Sequence, residues 1–313
     1  METVPLPLAN PLTGEFRTSG STQIAAPQPV RLWHLASRLW HLASLDAPTV
    51  AVVWSLAFAR AAAVRLPAWV PVLLALGTFA VYVADRLLDA HRALRTGNVE
   101  TLRERHYFHW RHRRVLAPLA CIATAVAVTI VFTEMPSPLR ERNSVLAVAA
   151  LAYFSGVHLP RRPRWLTPLL SKELLVGLLF TAGCSLPTLT RLHCGTVKLC
   201  AVLAAMAVFA TVAWLNCYAI DHWESARWDS AATTRLPFAA TLLAVAGLLL
   251  AAVFFSTQPR VATLFAAAST SAVLLALLDR HRARLAPLAL RTAADLALLT
   301  PAILLTPLAL LPR

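Results

Sequence analysis

Charged residues are scarce in this chain: Asp, Glu, Lys and Arg make up 14% of its 313 residues, whereas a soluble domain carries about 25%. Acidic residues are the rarer sign, with 15 of them against 29 lysines and arginines. Hydrophobic residues account for 58% of the chain. So little charge cannot cover a water-exposed surface, which excludes an ordinary soluble domain and indicates that lipid surrounds most of the protein.

Cysteine motifs and a signal peptide are also missing. The five cysteines include no CxxC pair and are odd in number, so the sequence predicts neither a disulfide framework nor a cysteine zinc site. Residues 1–30 are rich in proline, serine and threonine and contain no apolar core of the kind that a signal peptide needs. We therefore predict that residues 1–30 form a disordered tail.

Long apolar runs are what the sequence has in abundance. A bilayer-spanning helix needs about 17 to 25 mostly apolar residues. On this criterion we predict an all-α, polytopic integral membrane protein with a nine-helix transmembrane domain over residues 47–313. The predicted spans cover residues 47–66, 67–88, 115–133, 144–159, 173–190, 197–220, 236–256, 261–279 and 293–312.

The distribution of basic residues predicts the orientation, because cytoplasmic loops are enriched in lysine and arginine. With a cytoplasmic N-terminus, about three quarters of the 29 basic residues fall on the cytoplasmic face. We expect a protein of a bacterial inner membrane with its C-terminus outside. The net charge of +14 then reflects loop orientation and contact with membrane lipid, and we predict no nucleic-acid partner.

A seven-residue block, RLWHLAS, occurs twice in succession from Arg31 to Ser44. Seven residues are two helical turns, so the leucines of both copies form one stripe, with the arginines on another and the tryptophans beside them. This pattern is typical of a helix that lies in the membrane interface, and we predict one over residues 31–46. A duplication without a role is the alternative.

Two stretches, Thr101–Glu104 and Thr292–Asp295, have the Thr-x-x-acid pattern of a helix N-terminus. The first predicts a surface helix that runs to about Arg114, and the second assigns Asp295 to a helix cap. Three histidines spaced three apart would spiral around the surface helix among arginines, which argues against zinc and favours stacking on headgroups or substrate. They are His106, His109 and His112.

Aspartates end the second predicted span, in VYVADRLLDAHRAL. Asp85 and Asp89 lie four residues apart on one helical face, where two carboxylates repel each other unless a cation lies between them. Oxygen ligands suit Mg²⁺, whose usual role would be to hold a substrate diphosphate. Neutralisation by Arg86, His91 or Arg92 is the alternative.

A second acidic stretch, LNCYAIDHWESARWD, ends the sixth span. Helical spacing brings Asn216 and Glu224 into one row, with Asp221 beside them. The two acids could bind a second Mg²⁺ through water, and this stretch alone is weaker evidence than the first.

Taken together, the nine spans, the interfacial helix and the two acidic motifs resemble the UbiA superfamily of intramembrane prenyltransferases. The family's first motif, NDxxDxxxD, falls on residues 81–89, where Asp85 and Asp89 match and Val81-Tyr82 replaces Asn-Asp. The chain after the fourth span is similar to the family's tyrosine, basic pair and glycine-bearing fifth helix. The matching positions are Tyr153, Arg161, Arg162, Gly177 and Gly183.

The second motif departs further from the family. Asn216 and Glu224 match, whereas Cys217 and Ile220 stand where aspartates belong and Asp221 lies one position out of step. The family's Arg-Pro-Leu stretch is replaced by RERHYFHWRHRR.

The resemblance implies a helix bundle around a lipid-open cavity, where a prenyl group passes from a polyprenyl diphosphate to a lipophilic acceptor such as an aromatic ring. It implies that Asp85, Asp89, Asp221 and Glu224 are catalytic and hold Mg²⁺. It assigns substrate binding to Asn216, Arg103, Arg105, Tyr153, Arg161 and Arg162.

Other functions stay open. A member of the same fold that has lost catalysis, with a lipid-binding or scaffolding role, is favoured by the missing acids of both motifs. A transporter is less expected, because its coupling acids would lie near the midplane rather than at one face. A CDP-alcohol phosphatidyltransferase would carry an Asp-Gly motif, which this sequence lacks.

Overall fold

The structure is a computed structural model that describes residues 29–98, 102–158, 172–224 and 232–305. Side chains are described over residues 36–98, 102–152, 172–224 and 235–302. The described ranges are helical and contain no strand, which confirms the all-α prediction. The chain divides into two units, Met1–Ala36 and Ser37–Arg313, and α1 begins in the first of them.

The described residues form a succession of α-helices with one short 3₁₀ turn, Arg282–Arg284, between α10 and α11. The helices are α1 (Pro29–Leu42), α2 (Asp46–Ala61), α3 (Trp69–Thr96), α4 (Glu104–Arg111), α5 (Arg113–Thr133), α6 (Ser137–His158), α7 (Lys172–Leu189), α8 (Thr196–Glu224), α9 (Ala232–Phe255), α10 (Pro259–His281), α11 (Pro287–Ala297) and α12 (Thr300–Leu305).

Six of the described helices are long and apolar enough to cross a bilayer, namely α3, α5, α7, α8, α9 and α10. The end of α1 and α2, which meet at a bend of 90°, make a seventh span if they are taken together. These helices indicate a membrane protein, and the predicted count of nine spans is not confirmed. The predicted UbiA type of the bundle likewise stays a prediction.

Two predicted spans differ from the helices that cover them. The fourth overlaps α6 up to His158, and residue 159 lies outside the described residues. The first two turns of α6 contain the charged run Arg140-Glu141-Arg142, and α6 does not pass as a span over the described residues. The ninth is divided between α11 and α12, and its end lies outside the described residues. At the division the carbonyl of Leu298 accepts a hydrogen bond of 2.8 Å from Nε1 of buried Trp54.

The two predicted helix caps have different outcomes. The prediction for Thr292–Asp295 is wrong, because Pro287 provides the first residue of α11 and Asp295 lies in the last turn of that helix. Thr101 lies outside the described residues. The helix after it, α4, begins at Glu104 and ends at Arg111, so the predicted surface helix is interrupted before α5.

The doubled block lies in α1, which ends at Leu42, and residues 43–45 separate it from α2. In the described second copy, Leu42 is buried and Leu39 is exposed. Arg38 forms an ion pair with Glu104 of α4, and Trp40 donates a hydrogen bond of 3.2 Å to Thr49. The placement of α1 in the membrane interface stays a prediction.

Aromatic side chains form the centre of the packing between α2 and α8. The rings of Trp54 and Phe209 stack with centroids 3.8 Å apart, and Phe58 packs edge-on against Phe209 at 5.9 Å. All three side chains are fully buried. The outward-facing residues are also apolar, as Phe132 and Phe238 show with about 70% exposure. A surface of this kind is suited to lipid rather than water.

Glycines allow two pairs of helices to approach closely. A Cβ on Gly177 of α7 would lie 2.8 Å from the backbone nitrogen of Trp214 on α8. A Cβ on Gly247 of α9 would collide with the hydroxyl of Ser269 on α10. Small residues at helix contacts are typical of membrane bundles, where close packing stabilises helix pairs.

Several helix ends meet at one end of the second unit, which we call the α4 end. The turn before α2 contacts α4 there, with Ser44 Oγ and His109 Nε2 3.2 Å apart. The end of α8 contacts the end of α10, where Trp223 Nε1 donates to Asp279 Oδ1 over 2.8 Å. The end of α3 and the start of α5 lie there too, because α4 follows one and precedes the other.

Candidate functional site

The short helix α4 lies between the two acidic helix ends that the sequence singled out. His106 Nε2 is 3.8 Å from Asp89 Oδ2 at the end of α3. Arg105 donates from Nη1 and Nη2 to the two oxygens of Glu224 at the end of α8, over 2.5 and 3.0 Å. Arg103 donates to the backbone carbonyl of Glu224. The ends of α3 and α8 therefore lie at the same end of the protein, within reach of one eight-residue helix.

Helix geometry explains how α4 contacts both α3 and α8. Consecutive helical residues point about 100° apart, so Arg105 faces α8 while His106 faces α3. His109 lies one turn after His106 on the same side, and both imidazoles are buried. His109 Nδ1 donates to the carbonyl of Arg105 over 2.8 Å, which leaves Nε2 to accept from Ser44.

Glu224 is held by two guanidinium groups. Arg291 of α11 donates from Nη1 to Glu224 Oε1 over 2.9 Å, on the same carboxylate that Arg105 holds through both oxygens. Burial, with Arg86 and Arg291 nearby, lowers the pKa of Arg105 to about 9, and Glu224 opposes this shift. Arg105 is therefore still charged at neutral pH, and cations outnumber the carboxylate.

Asp85 and Asp89 have a more open environment. Asp85 Oδ2 lies 3.3 Å from Arg86 Nη1, and the two aspartate side chains are 22% and 33% exposed. These oxygens fit a divalent cation, because water and ligand can reach them from the surface. Glu224 fits one poorly, because guanidinium nitrogens already bond both of its oxygens.

The tautomer of His106 follows from its contacts. The backbone N–H of Arg103 donates to His106 Nδ1 over 3.0 Å, so the imidazole proton is on Nε2. Burial lowers the pKa of His106 to about 2, and repulsion from the positive charges of Arg86, Arg105 and Arg291 adds to this shift. The ring is therefore neutral, and it directs an N–H toward Asp89 across a distance too long for a hydrogen bond.

A cavity of about 200 Å³ opens beside Glu224. Its walls combine the charges of Glu224, Arg282 and Arg291 with the apolar surfaces of Trp223 and Leu290. Ligand pockets usually measure about 300 to 1,000 Å³. This cavity can therefore hold a group of the size of a phosphate, but not a whole polyprenyl chain.

A second ionic cluster lies at the α4 end. It consists of His41 and Asp46, which sequence analysis missed, and of Asp295, which sequence analysis assigned to a helix cap. His41 Nδ1 lies 2.7 Å from Asp46 Oδ2 and 3.4 Å from Asp295 Oδ2. Asn216 Nδ2 donates to Asp295 Oδ1 over 3.4 Å. The signal that drew attention to Asp85, an acid at the edge of an apolar run, applies equally to Asp46 and would have found it.

The other predicted site residues are placed as follows. Asn216 is buried and faces Asp295 rather than Glu224, while Asp221 is exposed on α8. The backbone of Tyr153 belongs to α6, and its side chain is outside the described part. Arg161 and Arg162 lie outside the described residues.

Sequence and structure comparisons assign no family to this site. No protein-family model, curated protein or solved structure matches the chain. The resemblance to the UbiA superfamily therefore depends on the sequence motifs alone.

Proposed function

We propose that this protein is a UbiA-like membrane prenyltransferase, which binds a polyprenyl diphosphate at the α4 end and transfers the prenyl group to a lipophilic acceptor. One observation carries the proposal: the acidic ends of α3 and α8 are both contacted by α4, through His106 at Asp89 and Arg105 at Glu224. A diphosphate site of this type requires carboxylates for a cation and basic groups for the phosphates within one region.

The charge around α4 suits a diphosphate. Arg86, Arg105 and Arg291 all lie close enough to His106 to lower its pKa, and Glu224 opposes them there. Guanidinium groups bond phosphate oxygens in pairs, so a diphosphate can compete with Glu224 for Arg105 and Arg291. The Nε2 proton of neutral His106 is a further donor, and it is directed toward Asp89.

Asp85 and Asp89 are the residues that would hold Mg²⁺ in this proposal. When bound, Mg²⁺ would offset the negative charge that develops as the allylic C–O bond breaks and diphosphate leaves. Asp221 is exposed on α8 one turn before Glu224, and in this proposal its carboxylate acts on a second Mg²⁺ through water. Glu224 instead holds Arg105 and Arg291 in position until the substrate phosphates bind.

The excess of basic residues in the loops of one face supports a cytoplasmic α4 end. We place the protein in a bacterial inner membrane, with its N-terminus in the cytoplasm and its C-terminus outside. The diphosphate group would then bind at the cytoplasmic face, while the prenyl chain and the acceptor would enter from the lipid.

A second candidate function is a catalytically inactive member of the same fold that binds lipids. The observation that favours it is the set of three hydrogen bonds that Arg105 and Arg291 donate to Glu224, which leaves this residue poorly suited as a metal ligand. Cys217 and Ile220, which stand at positions of acids in the family, point the same way. Such a protein would bind a prenyl diphosphate without releasing pyrophosphate.

The test is Mg²⁺-dependent pyrophosphate release by the purified full chain, given prenyl diphosphates of several lengths with a mixed lipid extract as the acceptor source. We expect Asp85→Asn and Asp89→Asn each to lower the rate about a hundredfold. Glu134→Gln is the matched control, because Glu134 follows α5, about 30 Å along that helix from the α4 end.

Equal rates in wild type and in both aspartate variants would refute the transferase. Binding of the diphosphate without release, at any chain length, would support the inactive alternative.

A further inference from the structure

A buried cluster of one histidine and two aspartates joins three helices at the α4 end. His41 lies in the last turn of α1, Asp46 in the first turn of α2, and Asp295 in α11. His41 is 3% exposed and Asp46 is 6% exposed. One ligand atom from each residue, a ring nitrogen and two carboxylate oxygens, lies within 4.8 Å of the others.

The spacing of these atoms is close to that of a metal site. A tetrahedral ion with bonds of 2.0–2.1 Å keeps its ligand atoms about 3.3 Å apart. His41 Nδ1 and Asp295 Oδ2 are separated by 3.4 Å. His41 Nδ1 and Asp46 Oδ2 are closer, at 2.7 Å, so entry of an ion requires this pair to open by roughly half an ångström.

The orientation of the His41 ring relative to Asp46 also fits an ion bound by both residues. Despite the separation of 2.7 Å, His41 Nδ1 forms no hydrogen bond with Asp46. A proton on Nδ1 would lie on the axis of that nitrogen and point at its acceptor. In a metal site the ion occupies this axis, and the neighbouring ligand atom stands to one side of it.

Unsatisfied polar atoms surround the cluster. Asn216, which is 4% exposed, bonds Asp295 through its amide nitrogen, and its Oδ1 has no hydrogen-bond partner. Asp295 Oδ2 and both ring nitrogens of His41 also lack one. Buried polar atoms are normally satisfied, and a bound ion with its waters is a common reason for exceptions.

The charges of the cluster suit a divalent cation. Asp46 and Asp295 are carboxylates that share a largely buried space, and a protonated His41 would carry one positive charge against their two negative charges. The nearest arginine on α11, Arg291, is bonded to Glu224, and it also attracts Asp295 from one helical turn away. Buried charges are stable only when paired or bound to a metal, and a divalent ion offsets both carboxylates while His41 stays neutral.

We propose that His41, Asp46 and Asp295 bind a divalent transition-metal ion of the zinc or manganese type, with Asn216 Oδ1 as a nearby fourth oxygen. An imidazole among the ligands favours such an ion over Mg²⁺, which prefers oxygen and water alone. The ion ties the turn between α1 and α2 to α11. The site is separate from Asp85 and Asp89 and does not depend on the proposed transferase activity.

The test uses the full chain in detergent, with any polyhistidine tag removed and metal stripped by a chelator. Co²⁺ is then titrated as a coloured substitute for Zn²⁺. We expect visible ligand-field absorption that saturates near one Co²⁺ per chain and that Zn²⁺ displaces. His41→Gln and Asp295→Asn should each weaken binding by tenfold or more, because each removes one of three ligands.

Matched controls are His193→Gln, at an exposed histidine, and Glu141→Gln, at an exposed acid of α6; both should keep the wild-type titration. No saturable absorption by the wild-type protein would overturn the proposal, and this measurement needs no variant to fold. Unchanged Co²⁺ affinity in both His41→Gln and Asp295→Asn would overturn it as well. Prenyl diphosphate is absent throughout, so failure of the transferase hypothesis leaves the result unaffected.

Discussion

Two buried ionic clusters at the α4 end differ in the sign of their charge imbalance. In the first, the single carboxylate of Glu224 is bonded by Arg105 and Arg291, so positive charge is in excess. In the second, Asp46 and Asp295 face one histidine, so negative charge is in excess. A cation-rich cluster is suited to bind an anion, and a carboxylate-rich cluster is suited to bind a cation.

The two clusters are joined by α11. Arg291 and Asp295 are four residues apart, which places them on one face of the helix. Each cluster therefore lies in the electric field of the other, and the excess charges partly offset across one helical turn. The net charge at this end of the protein therefore depends on both clusters, because α11 contributes one residue to each.

The largest expected effect comes from removing the carboxylate of the cation-rich cluster. Glu224→Gln removes the carboxylate that Arg105 and Arg291 share. We expect a loss of about 3 kcal/mol, the low end for a broken buried pair, because the three side chains are 11–19% exposed and Asp295 still attracts Arg291. Thermal unfolding of the purified protein measures the loss. Glu141→Gln, at an exposed position of α6, is the control and should change little. Equal melting temperatures for the two variants would show that Glu224 is not the counter-charge of these arginines.

Loading the carboxylate-rich cluster with metal should have the next largest effect. An ion that binds only the folded state adds about 2.7 kcal/mol at a hundred times its Kd. We expect Zn²⁺ to raise the melting temperature of the wild-type protein, and a chelator to reverse the rise. The same addition should leave His41→Gln unchanged. A rise of the same size in that variant would place the bound ion elsewhere.

Apolar runs predicted the helices well and their ends less well. The second predicted span stopped at residue 88, whereas α3 continues for two more turns to Thr96. Charged residues continue the helix there, and it ends where Gly97 adopts a φ of 70° and its N–H bonds the carbonyl of Ala93. Composition could identify the apolar core of the span, and the glycine was the overlooked signal for its end.

The site was predictable only in part. The acids that end α3 and α8 could be named from their positions, and so could the arginines of α4. Arg291 could not be assigned to Glu224, because the two are 67 residues apart and only the packing of α11 against α8 brings them together. The cluster of His41 with Asp295 has the same cause, since its members come from opposite ends of the chain.

The pH dependence of stability is a third test of the excess positive charge around Glu224. Burial beside Arg86, Arg105 and Arg291 lowers the pKa of His106 to about 2, below its ordinary value of 6.5. The unfolded chain binds this proton below pH 6.5 while the folded protein does not, so stability falls as the pH falls below 6.5. By pH 5 the loss should reach about 2 kcal/mol.

His106→Gln should reduce this acid-side loss, and His112→Gln, at an exposed histidine of the same segment, should not. Melting temperatures at pH 7.5 and pH 5 for the three proteins check the expectation. Burial also lowers the pKa of His109, so the variant should keep part of the slope. Identical slopes for wild type and His106→Gln would mean that His106 is protonated in the folded protein.

The smallest expected effect on stability belongs to Asp221, which lies on α8 one turn before Glu224 but is exposed. Because water already solvates its carboxylate, Asp221→Asn should change the free energy of unfolding by about 0.5 kcal/mol or less. Under the transferase hypothesis the same variant should lower Mg²⁺-dependent pyrophosphate release, because it removes a carboxylate that the hypothesis assigns to Mg²⁺. Thermal unfolding and pyrophosphate release, measured on one preparation, separate the two roles. A loss of stability as large as that of Glu224→Gln would place Asp221 inside the cation-rich cluster and remove the contrast between the two acids of α8.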